Sequence, residues 1–392
     1  MFYLGIDIAK NNHVASLLDS EGNILFKGFS FTNTKNGYNS LIAKVNKITS
    51  EPDEVLVGME ATGHYWLSTY TALIEDGYQV SVINPFLIKS YRSSMSVRNQ
   101  KNDKIDSYII AEFMKERTPD KTIIPDSDYI NLKQLTRFRS KLVNQIASIK
   151  NQVISVLDKV FPEYTTIFSD TFGMTSKQLL LKYPTPEEML KVNTRTLANL
   201  LNKSSKGRFS SDKAKELKSI AKESFGTKLT VSTAAFEIKQ LVNHIIFIES
   251  QISEIDDEIK IIYDSLNTYL TTIPGIGLAL APIILGEIGD INNFAKKSQL
   301  IAFAGIEPTI AESGNKFSTN EKTSKRGSPY LRHAVHTAAL VAMSTVPEYR
   351  EYYDKKRKEG KHHNVALAGI SRKLLNVIYS VLKDQRPYEP RK

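Results

Sequence analysis

Residues 2–31, FYLGIDIAKNNHVASLLDSEGNILFKGFSF, decide the fold of the amino-terminal region. Apolar and β-branched runs at Phe2 to Ile8, Val14 to Leu18 and Ile24 to Phe31 are separated by turn-forming residues, with Glu21-Gly22-Asn23 joining the last two. That pattern predicts three antiparallel strands. Working outward, Leu41, Ile42, Val45 and Ile48 recur at helical spacing, Val55 to Met59 is a buried-strand run, Trp66 to Ile74 is helical, and Val80 to Ile83 is a strand ending at Pro85. The order βββαβαβ followed by a helix predicts a mixed sheet with crossover helices, an α/β domain, over the first 125 residues.

Four carboxylates fall at the ends of these elements. Asp7 closes the first strand, Glu60 closes the Val55 to Met59 strand, and Asp103 and Asp106 lie three apart at a helix start, where such side chains share a face. Each has an ordinary use as a turn cap, a lysine partner or a first-turn acid. Together, at one sheet edge, they form a set of hard oxygen ligands for one or two Mg²⁺ ions, the arrangement that phosphodiester cleavage requires. Lys89, Arg92, Arg98 and Lys101 precede the last pair, as suits a site that receives phosphates.

The middle of the chain changes period. Leu142, Ile146, Ile149, Val153, Val156 and Val160 alternate spacings of four and three, as do Leu241, Ile245, Ile248, Ile252, Ile255, Ile259, Ile262 and Leu266. Such seams predict two long helices, residues 126–163 and 232–268, forming a coiled-coil hairpin or pairing across subunits; two ordinary amphipathic helices in a bundle are the plainer alternative. Residues 164–231, with Pro184 and Pro186, read as a helical insertion at the tip of the hairpin. The remainder, 269–392, is mainly helical and opens on Ile273-Pro274-Gly275-Ile276-Gly277 before an apolar helix from Leu278 to Leu285. A turn of that kind brings the backbone N–H groups of Gly275 and Gly277 toward a phosphate, as in helix-hairpin-helix elements, unless the glycines serve only a tight turn.

Composition narrows the function. The chain of 392 residues has no cysteine, which removes disulfides, thiolate metal sites and thiol catalysis together. A net charge of +10 argues for a polyanionic partner, and Arg350 to Lys392 alone carries twelve Lys/Arg against five Asp/Glu. With neither a basic leader followed by an apolar stretch nor an unbroken apolar run of membrane-spanning length, a soluble protein of the cytoplasm, not associated with a membrane, is expected.

The motifs themselves carry a resemblance. Gly5-Ile6-Asp7-Ile8-Ala9-Lys10, Met59-Glu60-Ala61-Thr62-Gly63, Asn84-Pro85 and Lys101-Asn102-Asp103-Lys104-Ile105-Asp106 resemble the DEDD-type insertion-sequence transposases, the Piv/MooV-like recombinases with a RuvC-like, RNase H-fold amino-terminal domain. At the other end, Ile273 to Gly277, Phe303-Ala304-Gly305-Ile306 and Thr323-Ser324-Lys325-Arg326-Gly327-Ser328-Pro329-Tyr330-Leu331-Arg332 resemble that family's carboxy-terminal transposase domain. The resemblance implies DNA strand cleavage and transfer with Mg²⁺, element ends and target DNA as substrates, and a structured guide RNA encoded by the element, while the paired heptad seams fit assembly into a dimer or tetramer.

Ser324 is a hydroxyl beside Lys325 and Arg326, with Arg332 eight residues on, and cations of this kind stabilise a serine attacking a phosphate. On chemistry alone a helix N-cap is the stronger reading of Ser324, and Ser313 and Ser328 compete for the role of nucleophile. The family resemblance assigns the nucleophile to Ser324; Lys101, Lys104, Lys325, Arg326 and Arg332 are, by charge and position, the cations expected to contact nucleic acid. His333 and His336, three apart, read as packing residues for want of a third ligand. A RuvC-like nuclease that hydrolyses DNA and uses the carboxy-terminal half only for binding is the rival reading. A sugar-kinase or actin-like ATPase shares the Gly-Ile-Asp-Ile strand, but Ala9-Lys10-Asn11-Asn12 replaces its phosphate turn, and a non-catalytic DNA-binding protein would follow if the acids stood apart.

Overall fold

A computed structural model describes residues 1–61, 63–95, 103–122, 127–307 and 323–390, and the backbone of 312–313 and 316–317. The chain divides into two compact units, Met1–Ile124 and Pro125–Lys392.

The first unit is built on five strands: β1 (Phe2–Asp7), β2 (Asn12–Leu18), β3 (Ile24–Thr32), β4 (Val55–Glu60) and β5 (Gln79–Ile83). Their order is β3-β2-β1-β4-β5; β1 to β3 are antiparallel, whereas β4 runs parallel to β1 and β5 parallel to β4. The Glu21 to Asn23 turn is closed by Asp19, whose Oδ1 accepts from the N–H groups of Glu21 at 2.9 Å and Asn23 at 2.8 Å, while Gly22 takes φ +93°. Leu4, Ile6, Leu17, Val57 and Val80 pack with Leu41, Val45 and Leu73 of the crossover helices Lys35–Val45 and Trp66–Glu75. The mixed α/β architecture is that expected from the sequence and is consistent with a RuvC-like domain. Ile48 is the exception, since the first crossover helix ends at Val45 and leaves it exposed.

The helix Asp103–Arg117 crosses the sheet over β1. It lies unusually close because Gly5 and Gly58 are paired across β1 and β4. A Cβ on Gly5 would stand 2.2 Å from the Ser107 carbonyl oxygen and 2.3 Å from the Ala111 nitrogen; on Gly58 it would meet Met114 Cγ at 2.4 Å. The Gly58 contact is with a flexible side chain, but the Gly5 contact is with backbone, so the whole helix would have to lift. Gly5→Ala is therefore expected to lower stability by about 3 kcal/mol in denaturant titrations, with Gly58→Ala milder.

The second unit contains two helices of more than thirty residues, Ser127–Val160 and Val231–Ser265, packed along each other. Arg139 joins them through paired contacts to Asp256 at 2.5 and 3.1 Å. All six seam residues from Leu142 to Val160 are buried. On the second helix the buried line differs from the expected one: it runs through Ala234, Ile238, Val242, Ile245 and Ile248, then through Ile259 and Tyr263, leaving Leu241, Ile252, Ile255 and Ile262 only partly covered. The reason is that one helix pair serves two cores. Its upper half closes against the helices Met174–Lys182, Thr194–Ser204 and Ser211–Glu223, and its lower half against the carboxy-terminal helices. Ile248 is 1% exposed within a single chain, so the seam is filled intramolecularly there.

The carboxy-terminal helices are Ala281–Ile288, Lys297–Ala304, Pro329–Thr345, Pro347–Lys358 and His363–Asp384. The apolar helix begins at Ala281 and not at Leu278, because residues 278–280 form a turn. Among the described residues one helix, His363–Asp384, is long and apolar enough to cross a membrane; its buried face, from Leu367 to Leu382, belongs to the core of this unit.

Candidate catalytic residues

In the first unit, parallel pairing of β1 and β4 carries Ile6 beside Met59, which puts Asp7 and Glu60 at the same end of neighbouring strands. The close seating of Asp103–Arg117 on the glycine pair brings Asp103 and Asp106 to that end as well. The effect appears on Asp7, whose carboxyl is raised from 3.8 to about 7, first by burial and then by the negative charges of Asp106, Asp103 and Glu60, with Arg92 opposing them. Three carboxylates therefore lie within electrostatic reach of Asp7.

They do not form a finished cage. Among the described residues no three His, Asp or Glu side chains stand close enough to share a cation. Asp106, 7% exposed, is instead engaged by Arg92 of the helix Pro85–Met95, whose Nη2 is 2.5 Å from its Oδ1. The contact is an ion pair without hydrogen-bond alignment, since neither Asp106 Oδ1 nor Arg92 Nε has a hydrogen-bond partner. The donor set nonetheless suits Mg²⁺: it consists of hard oxygens, and the uncompensated negative charge on Asp7 is what a divalent cation relieves. Lys104 lies with its stem over Gly28 of β3, where a Cβ would meet Lys104 Cγ at 2.6 Å. Lys101 falls outside the described residues.

In the second unit Ser324 sits on a loop tied to the end of the helix Lys297–Ala304. The Ser324 N–H donates to the Glu307 carbonyl at 2.9 Å, that of Lys325 to Gly305 at 3.2 Å, and that of Ser328 to Phe303 at 2.9 Å. Gly327 is required there, because a Cβ would lie 1.8 Å from the Phe303 carbonyl oxygen. Lys325 has φ +51°, a conformation uncommon for a residue with a side chain and frequent at functional loops. The Ser324 hydroxyl is half-buried and its Oγ accepts a long contact, 3.5 Å, from the Arg326 N–H.

Ser328, by contrast, is fully engaged. It caps Pro329–Thr345 by accepting from the Leu331 N–H at 3.1 Å, and its hydroxyl donates to Glu287 Oε2 at 2.8 Å. The helix cap considered for Ser324 thus falls to Ser328, and the Ser313 side chain lies outside the described residues. Arg332 donates from Nη1 to the Ala304 carbonyl at 3.1 Å. Gly275 adopts φ +86° and packs so tightly on Pro329–Thr345 that a Cβ would be 2.4 Å from the Ala338 carbonyl oxygen, whereas Gly277 is exposed and open. Close approach of backbone to helix accounts for the first glycine without any phosphate.

Glu287 was not among the expected site residues, although it is the lone acid in an otherwise apolar helix. It is 1% exposed and takes paired hydrogen bonds from Arg137 at 2.5 and 2.9 Å. The Arg137 guanidinium also lies 4.8 Å from the centre of the Tyr330 ring. Burial pushes the neighbouring Lys133 below the ordinary lysine range, against the opposing pull of Glu287. Glu287 thus anchors the start of Pro329–Thr345, and through Ser328 the loop bearing Ser324. Glu287→Ala is expected to lower stability by roughly 2–4 kcal/mol, somewhat under the usual loss from breaking a buried pair because Arg137 remains part-exposed. Thermal melts check this, with Glu287→Gln expected to lose less.

Half-buried acids ending adjacent parallel strands, in a basic chain that also carries a loop-borne serine followed by cations, are the equipment of an enzyme acting on nucleic-acid phosphates. Family comparison agrees at both ends: residues 4–162 match a DEDD-type transposase model, and residues 267–354 match the transposase model of the IS116/IS110/IS902 family. The chain is 24% identical to a pilin gene-inverting protein of Moraxella bovis, over 99% of this chain and 98% of the relative. It is 23% identical to an uncharacterised protein of insertion element IS110 from Streptomyces coelicolor, over 99% and 96%, and 25% identical to one of insertion element IS900 from Mycobacterium paratuberculosis, over 99% and 97%. The chain belongs to the DEDD-type IS110/IS116 family of insertion-sequence transposases, and its activity is that of a DNA transposase or recombinase.

Proposed function

We propose that the protein cuts and rejoins DNA strands at specific sites through a covalent protein–DNA intermediate, with Ser324 as nucleophile and Asp7, Glu60, Asp103 and Asp106 as the acidic site. The observation that carries this reading is the placing of Asp7 and Glu60 at the same end of neighbouring strands, with the charges of Asp106, Asp103 and Glu60 acting on the half-buried Asp7. Asp7, Glu60, Asp103 and Asp106 are the residues that would hold Mg²⁺, which when bound would supply Lewis-acid activation and charge neutralisation at a phosphate. The Ser324 Oγ–P bond forms as the bond from phosphorus to the leaving sugar oxygen breaks; the serine proton is given up and the leaving oxygen takes one. Reversal by a different sugar hydroxyl rejoins the strand and conserves the phosphodiester bond. Lys325, Arg326 and Arg332 offset the charge of the phosphate under attack, and the strapped loop restricts where Ser324 can point.

A relative named for pilin gene inversion supports site-specific recombination over mere cleavage. Element ends and target DNA as substrates, a guide RNA and a nucleoid-associated cytoplasmic location belong to the same reading through family resemblance, and assembly into a dimer or tetramer through the need to hold two duplexes. Because the Ile248 seam is filled within one chain, subunit contacts are sought elsewhere on the surface. The test is recombination of a plasmid carrying the element ends in the absence of ATP. Rejoined products are expected, and Asp7→Ala and Ser324→Ala should each remove them. Linear, hydrolysed ends with a competent Ser324→Ala protein would favour the metal-dependent nuclease instead.

A further inference from the structure

Beside Ser324 is a cavity of about 660 Å³ between two helix faces. Arg332, His333 and His336 line it from Pro329–Thr345, and Asn364, Ser371 and Arg372 from His363–Asp384. The spacings of three, four, seven and eight residues put each set on one side of its helix. Thr323 and Lys325, on either side of Ser324, complete the wall. Among the described residues no carboxylate lines this space, and Lys325, Arg332 and Arg372 have no acidic partner. A separate observation points to a missing ligand: Ser371, 1% exposed, has a hydroxyl with no hydrogen-bond partner. A buried hydroxyl left unmatched is costly, and a ligand oxygen would satisfy it.

We propose that this cavity binds one nucleotide of the DNA strand next to the phosphate attacked by Ser324, its phosphate among Lys325, Arg332 and Arg372 and its sugar toward Ile306, Val365 and Ala368. This rests on the assignment of Ser324 for the strand's position but not for its binding. The volume lies in the range of small-ligand pockets and exceeds what a bare phosphate needs. The apolar wall is of no use to an inorganic anion, while three cations without an acid are of no use to an apolar ligand. Burial and the neighbouring His333 and His363 hold His336 below the ordinary histidine range, so the standing charge comes from the lysine and the two arginines.

The test uses the full chain and the dinucleotide pdTpdT, followed by the ring-proton resonances of His333 and His336, assigned with H333Q and H336Q. Saturable shifts of both are expected at millimolar dinucleotide. Arg372→Gln should weaken binding at least tenfold, and Asn364→Asp, an exposed change that puts a negative charge at the mouth without touching the core, should weaken it as well. Ser324→Ala should bind as the parent does, so failure of the serine assignment would leave this result standing. No shift, unaltered affinity in both charge variants, equal affinity for inorganic phosphate, or tighter binding of the ribodinucleotide would each overturn the proposal.

Discussion

Asp7→Asn is expected to abolish DNA strand cleavage and, at the same time, to stabilise the metal-free protein at pH 8. The two effects have one origin. Asp7 has its carboxyl raised from 3.8 to about 7 by burial and by the charges of Asp106, Asp103 and Glu60. A folded state that holds this proton more tightly than the unfolded chain gains its full benefit below about pH 4 and loses it as pH rises toward 7. Above that, ionised Asp7 opposes folding. The asparagine removes that opposition, so its advantage should be greatest at pH 8, about 1–2 kcal/mol once solvent screening of this partly exposed group is discounted, and should vanish near pH 4. Thermal melts of both proteins across that range check the sign. Mg²⁺ should raise the parent's midpoint at pH 8 more than the variant's, since the variant would lack the carboxylate proposed to hold the cation. A destabilised variant at pH 8 would mean that Asp7 is a structural acid.

Much of the first unit could be read from the sequence because its signals are local. Alternating apolar residues and the Asp19 to Asn23 turn specify adjacent strands without reference to distant parts of the chain, and strand ends are where Asp7 and Glu60 fall. What was not legible depends on distance in sequence. Gly5 and Gly58 look like motif residues until pairing sets them side by side beneath one helix. Nothing local ties Arg92 to Asp106, and that ion pair stands where a simple cage of acids was expected. Periodicity could not choose between Leu241 and Val242, since both are apolar and each stands three or four residues from Ile238 and Ile245, so the decision lies with the helices packed against them. Glu287 was visible as an odd acid in an apolar helix, but its partners Arg137 and Ser328 lie far away on either side. The same is true of His333 and His336, whose facing wall comes from Asn364 to Arg372.

Ser324→Ala should leave DNA affinity nearly unchanged, since Lys325, Arg326 and Arg332 remain, and should abolish recombination altogether. The expectation follows from the loop. Ser328 is committed to capping its helix and to Glu287, so it has no free hydroxyl geometry to offer in Ser324's place, whereas Ser324 carries a half-buried hydroxyl whose described contact is a 3.5 Å approach from a backbone N–H. On the proposed mechanism, deleting it removes the bond that would conserve phosphodiester energy, which the acids of the first unit would not supply. Loss of activity should therefore be complete and not graded, with the melting profile preserved. The most direct measurement is to stop a cleavage reaction on end-labelled DNA in denaturant and map the protein residue attached to the strand by mass spectrometry. A strand covalently joined at Ser324, absent from Ser324→Ala, is the expected result; cleaved DNA with no attached protein, or an attachment at Ser313 or Ser328, would contradict it.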